Sequence, residues 1–222
     1  WIGYFWASSS KKKLSVLEIG GAPGQYLAYF HKEFGYIISC LDYSEIGCEK
    51  TRENFDLLKI PGKVYQGDLF SEDHQLPLFD IVYSLGFIEH FTNLTDIVGK
   101  HIQLLKPGGI LLLGIPNLLG INHWFLKRLA PNLLTGHNLA SMDIHRWNSF
   151  ESYFDLEVIF KNYVGGFEPA VFLKNERKPV LNKLLFFVAR LLNRIFHSNF
   201  NCLRKYNSKF TSGYLMGIYK KP

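Results

Sequence analysis

A chain of 222 residues, 47% hydrophobic and 20% charged, can bury one sizeable core, which excludes a disordered polypeptide and predicts a single globular domain. Its three cysteines, Cys40, Cys48 and Cys202, share no CxxC spacing, so neither a disulfide framework nor a metal site is expected and a cytoplasmic setting fits best. A formal net charge of +6 suits anionic partners but names no chemistry by itself.

The opening stretch, Trp1 to Trp6, is apolar but too short to span a membrane and lacks the charged start of an export signal. The missing initiator Met predicts that the numbering begins inside a longer chain. From Leu14 onward, short β-rich runs alternate with helical stretches, the arrangement of βαβ units. Strands are predicted at Ser15–Ile19, Ile37–Leu41, Lys63–Gln66, Ile81–Ser84 and Ile110–Gly114. Helices are predicted at Gly24–Glu33, Ser44–Leu57 and Leu94–Leu105. The strands are continuously apolar, as a sheet covered on both faces requires. Lys106-Pro107-Gly108-Gly109 should end the third helix and turn the chain into the next strand. Asn117 to Asp143 has little β character and reads as an insertion or cap. A short helix at Ser149–Phe154, a strand at Leu156–Tyr163, a basic helix at Pro179–Phe196 and a strand at Gly213–Tyr219 follow.

The sharpest feature is Val16-Leu17-Glu18-Ile19-Gly20-Gly21-Ala22-Pro23-Gly24, an apolar strand ending in a glycine-rich turn that opens a helix. Glycine lets backbone approach a ligand closely, and the helix start offers unpaired N–H groups. A nucleotide-like ligand belongs there. The dinucleotide pattern G-x-G-x-x-G fails, because Ala22 and Gln25 stand where its second and third glycines belong. Asp42 closes the second strand, where a carboxylate can accept from both ribose hydroxyls. Asp68 follows the third, where it can accept from an adenine amino group while Leu69 packs on the ring.

With Glu18, Gly20 and Gly24 matching E-x-G-x-x-x-G, the chain resembles the class I S-adenosylmethionine-dependent methyltransferases, of the small-molecule type. The strand Phe79 to Ser84, the following Phe87-Ile88-Glu89-His90-Phe91 and the Leu105-Lys106-Pro107-Gly108-Gly109 turn carry the resemblance further. It implies a doubly wound, mostly parallel seven-stranded Rossmann-like sheet of order 3-2-1-4-5-7-6 with helical insertions. It also implies a cofactor-binding core over 14–117, an acceptor-side insertion over 118–148 and C-terminal strands over 149–222. The implied cofactor is S-adenosylmethionine. Its residues by resemblance are Glu18, Gly20, Gly21 and Gly24 on the methionine side, Asp42 with Tyr43 at the ribose, Asp68 and Leu69 at the adenine, and Ser84, Leu85 and Gly86 at the amino end. Pro23 departs from the family's usual turn and removes one N–H.

The implied activity is methyl transfer to a small-molecule acceptor, with oxygen as the expected accepting atom. The sulfonium methyl is already activated, so alignment and exclusion of water carry most of the reaction. An oxygen acceptor benefits from a base, for which His90, His123, His137 and His145 are candidates and His90 and His145 the two best placed. Ser84-Leu85-Gly86-Phe87 stands where amino-methylating enzymes carry an Asn/Asp-Pro-Pro-aromatic motif, which disfavours that class, although Asn117 can still face an acceptor pocket. Trp124, Phe125 and Trp147 could line an apolar pocket. Two alternatives stand beside this reading: a catalytically inactive cofactor-binding module, and an RNA methyltransferase. No DNA partner is expected.

Helix 179–196 sets Lys183, Arg190 and Arg194 on one face and Leu181, Leu184, Leu185, Val188, Leu191, Leu192 and Ile195 on the other. Its apolar face is expected to cap this domain; docking on another subunit or as a peripheral contact on an anionic membrane is the alternative.

Overall fold

In a computed structural model, which describes residues 13–71, 76–165 and 207–222 together with Leu184, Phe187, Val188, Arg190, Leu191 and Arg194, seven strands form one sheet of order β3-β2-β1-β4-β5-β7-β6. The elements run β1 (Ser15–Ile19), α1 (Gln25–Phe34), β2 (Ile37–Asp42), α2 (Glu45–Leu58), β3 (Gly62–Gln66), β4 (Phe79–Leu85), α3 (Leu94–Gln103) and β5 (Leu105–Pro116). Then come α4 (Gly120–Leu129), α5 (Asn132–Thr135), α6 (Asn148–Tyr153), β6 (Glu157–Val164) and β7 (Tyr214–Lys220). Short 3-10 turns at Ile88–His90, Leu139–Met142 and Ile144–Trp147 complete the described path. Strands β1 to β5 are parallel, and β7 runs antiparallel between β5 and β6. The implied sheet order therefore holds.

Side chains alternate across the sheet because successive Cβ atoms point to opposite faces. Val16, Ile38, Cys40, Ile81 and Tyr83 pack with Leu27 and Phe30 of α1 and Phe55 of α2. Leu17, Ile19, Val82, Leu111 and Leu113 pack on the other face with Ile97, Val98 and Ile102 of α3 and with Trp147 and Phe150. Two separate cores follow from one alternation. Helix α2 begins at Ser44, whose Oγ accepts from the Gly47 N–H, and α3 at Asn93, whose Oδ1 accepts from the Asp96 N–H.

The expected turn at Lys106-Pro107-Gly108-Gly109 lies inside β5, which starts at Leu105 and pairs there with Phe79. A register shift between Phe79 and Ile81 absorbs the irregularity. Lys106 Nζ bonds Asp80 Oδ2 at 2.9 Å, and Ser15 donates to the same oxygen from its N–H at 2.8 Å and its Oγ at 2.6 Å, clamping the base of β1, β4 and β5 together. Of predicted helix 179–196, the described positions are helical, and Leu184, Phe187, Val188 and Leu191 are exposed, so at these positions the apolar face does not cap the domain. The other positions of that helix, and Cys202, lie outside the described residues. Among the described residues no helix is long and apolar enough to cross a membrane.

At the end of β5 the chain is tied to its own C-terminal return by Asn117. Its Nδ2 donates to Lys209 O at 2.9 Å and Ser212 O at 2.7 Å, and its Oδ1 accepts from the Leu119 N–H. Asn117 is fully buried, so its loss would strand three backbone groups. Asn117→Ala should cost about 2–4 kcal/mol of unfolding free energy in urea titration; an unchanged midpoint would show that these bonds contribute nothing.

Candidate functional site

The carboxyl ends of the parallel strands meet the start of antiparallel β7 along one edge. Gly20 sits at φ +67°, and a Cβ there would lie 2.6 Å from Phe87 Cδ2. The turn after β1 therefore rests directly on the turn after β4. At Gly21 a Cβ would lie 2.0 Å from Glu18 Cδ, so only glycine lets the backbone cross above that carboxyl. Gly24 caps α1 in the left-handed conformation.

Glu18 points to the α1/α2 face and is buried. Its Oε2 and the nearby Tyr83 hydroxyl are buried without a hydrogen-bond partner. Burial pushes its pKa up to about 8; the neighbouring Tyr83 hydroxyl opposes the shift and the Asp42 charge adds to it. Asp42 is half-buried at the end of β2, with Oδ1 accepting from the Ser44 N–H at 2.8 Å. Tyr43 beside it is exposed. Asp68 is exposed after β3, with Oδ1 accepting from the Phe70 N–H at 3.0 Å, while Leu69 is buried in the α3-face core. Gly86 stands at φ +73° with its N–H on Gly114 O, and Leu85 is half-buried before it.

Ser84 sits differently from the expectation. Its hydroxyl is turned into the core, 3.0 Å from Nε2 of His101, whose Nδ1 lies 2.8 Å from Ile97 O. A carbonyl can only accept, so Nδ1 carries the proton and Ser84 donates to Nε2. His101 is fully buried, and burial drives its pKa down to about 4, which keeps the ring neutral. Only the backbone of Ser84 faces the edge.

Glu89 and His90 share the 3-10 turn after β4. Glu89 is 1% exposed, its Oε2 has no hydrogen-bond partner, and burial pushes its pKa up to about 7. His90 lies against His137, ring centroids 4.8 Å apart and planes tilted by 43°, and its Nδ1 lies 2.9 Å from Gly136 O. The partner of His90 is thus His137, from the insertion. His145 lines a separate cleft of about 300 Å3, together with Thr92, Asn93, Asn138, Ser141 and Arg146.

Three expectations for acceptor-side residues are corrected. Asn117 spends its amide on backbone and faces no pocket. Trp147 is fully buried with Nε1 donating to Ser141 O at 2.7 Å, and Phe125 is buried in the α3-face core. Trp124 is exposed beneath the Arg128 guanidinium, 4.0 Å from its ring centroid, so these three rings line no common pocket. Sequence reading also passed over Tyr214. It opens β7, lies near Gly86, and is pushed up to about 12 by burial and the Glu89 charge. Its arrival depends on chain return, for which local pattern carries no signal.

A family model described as a methyltransferase domain matches residues 2–168, three-quarters of the chain. The chain belongs to this methyltransferase family. Its sheet is that of the class I S-adenosylmethionine-dependent enzymes, and S-adenosylmethionine is the cofactor that membership brings. Among similar solved structures, a Bacillus halodurans protein assigned as a methyltransferase has a TM-score of 0.65 at 15% identity, covering 100% of this chain and 98% of that one. An Archaeoglobus fulgidus SAM-dependent methyltransferase has a TM-score of 0.62 at 17% identity over 99% and 91%. The plantazolicin methyltransferase BpumL, solved with a triazolic desmethylPZN analog and SAH, has a TM-score of 0.63 at 15% identity over 99% and 81%. At these identities the likeness is one of fold.

In the cofactor-free methyltransferase, a Glu18 pKa of about 8 against 4.5 when unfolded means the folded chain holds this proton longer. The group costs nothing below about pH 4.5, lowers stability as pH rises, and reaches its full penalty above about pH 8. Glu18→Gln should match the parent near pH 4.5 and exceed it near pH 9 by up to about 5 kcal/mol. Thermal melts at both pH values check this, and parallel profiles would place the Glu18 charge in solvent.

Proposed function

We propose that this methyltransferase transfers the methyl group of S-adenosylmethionine to an oxygen of a small polar acceptor bound in the cleft beside the turn after β4. The observation that supports the reading is the lining of that cleft by polar residues, among them Thr92, Asn93, His145 and Arg146, while Asn138 and Ser141 spend their side chains on backbone groups and shape its wall. Such a wall selects a polar molecule by hydrogen bonds. Cores that absorb Phe125 and Trp147 leave it no aromatic lining.

The residues fit the cofactor. The orphaned Glu18 Oε2 and Tyr83 hydroxyl lie under a glycine turn that a Cβ would block, offering buried polar partners to the methionine part. Asp42 supplies a carboxylate for the ribose hydroxyls. Asp68 after β3 would accept from the adenine amino group, with Leu69 giving an apolar backing from the core, and the backbone at Ser84 to Gly86 would meet the amino end. When bound, the cofactor supplies an already activated methyl group, so positioning carries most of the rate. His145 then takes the hydroxyl proton as the acceptor oxygen gains the methyl. His90, held against Gly136 and His137, orients the neighbouring corner.

Asp42→Ala should weaken S-adenosylmethionine binding by roughly 1.5–3 kcal/mol in calorimetry, through loss of a charged acceptor; an unchanged dissociation constant with the fold intact removes Asp42 from the site. His145→Ala should lower kcat with labelled methyl by roughly 10²-fold and leave cofactor affinity unaltered. Parent-like turnover in that variant would show that positioning suffices without a histidine base.

A further inference from the structure

Three ligand-bearing groups meet in the corner behind β4. Glu89, His90 and His137 each bring one ligand atom within 4.8 Å of the other two. Both rings are oriented from behind: His90 Nδ1 donates to Gly136 O at 2.9 Å and His137 Nδ1 donates to Leu133 O. Because a carbonyl only accepts, each ring carries its proton on Nδ1 and presents a bare Nε2 lone pair. This is the arrangement in which backbone carbonyls orient metal-ligating histidines.

The third group is independent of the ring pair. Glu89 is 1% exposed, and its Oε2 lacks any hydrogen-bond partner. A contact between two imidazole rings alone is ordinary packing; it gives no reason to bury a carboxyl oxygen unpaired beside it. The frame is also closed: Asn138 donates its N–H to Glu89 O at 2.7 Å and its Nδ2 to Phe91 O at 2.9 Å. The loop bearing His137 is thereby sewn to the turn bearing Glu89 and His90.

We propose that Glu89, His90 and His137 form a binding site for one divalent transition-metal ion. Two imidazole nitrogens and one carboxylate suit Zn2+, Co2+ or Mn2+ better than Mg2+ or Ca2+, which favour all-oxygen shells. Three protein ligands leave positions for water or for an acceptor oxygen. Occupation by an acceptor rests on the oxygen-transfer reading above; binding of the ion does not.

The test uses the whole chain stripped with chelator, titrated with Co2+ by visible absorption and with Zn2+ by calorimetry. One ion per chain is expected, with mixed nitrogen and oxygen coordination in the Co2+ spectrum. Glu89→Gln and His137→Ala should each weaken binding about 100-fold, and His31→Ala, on α1, should not. His137→Gln, which can keep the bond to Leu133 without an imidazole, provides a second variant if His137→Ala fails to fold. S-adenosylmethionine binding measured on the same samples separates ligand loss from loss of the fold, and separates failure here from failure of the cofactor reading. Absence of stoichiometric uptake, equal affinity for Mg2+, or parent-like affinity in Glu89→Gln and His137→Gln would each overturn the proposal.

Discussion

Glu18 stands near the end of β1 with its carboxyl out of water and the backbone of Gly21 lying across it, so close that a Cβ would stand 2.0 Å away. The turns after β1 and β4 are arranged around that contact. The chain can turn into α1 only because glycine occupies the crossing. The turn can hold its place only because Phe87, from the next strand's loop, fills the space a Cβ on Gly20 would need. Two adjacent loops are thus locked as one surface by small residues on one and an aromatic ring on the other. The surface keeps buried polar atoms without partners, which is where a folded protein concentrates binding capacity rather than stability.

Alternation across the sheet then divides the chemistry. On the α1/α2 face, Glu18 and Tyr83 stand side by side with unsatisfied oxygens. On the α3 face, the residue after Tyr83 is Ser84, whose hydroxyl is satisfied by a neutral, fully buried His101. One residue step separates a group left open from a group closed off. The closed pair stiffens the strand that carries Gly86 and Glu89, and Phe87 lies edge-on to His101 at 5.9 Å between ring centroids, linking that support to the glycine turn.

The insertion after β5 adds walls by using its aromatic residues as core. Trp147 packs on Phe150 and Tyr219, and Tyr163 donates its hydroxyl to Met142 O at 2.9 Å, fixing the 3-10 turns from below. With the rings turned inward, Asn138, His145 and Arg146 of the same segment are left along the cleft. A polar cleft is what remains when an insertion spends its apolar side chains on docking.

Although it marked no helix at Gly120–Leu129 or Asn132–Thr135, the sequence by itself determined the order of the alternating strands and helices up to β5 and the closing strands, the glycine turn after β1 and the acidic residues at the ends of β1 to β3. These are local facts: an apolar run, a glycine at a strand end and a carboxylate one step later depend on residues a few places apart, and burial periodicity reports them directly. What it left open are meetings between distant segments. His90 pairs with His137, Ser84 with His101, Asn117 with the carbonyls of Lys209 and Ser212, and Tyr214 returns to the edge from the far end of the chain. A histidine reads alike in sequence whether it faces a cleft, a carbonyl or another histidine. Only packing decides among these, because the partner is brought in by the path of the whole chain across the sheet, and burial then fixes which polar atoms are satisfied and which are left to bind.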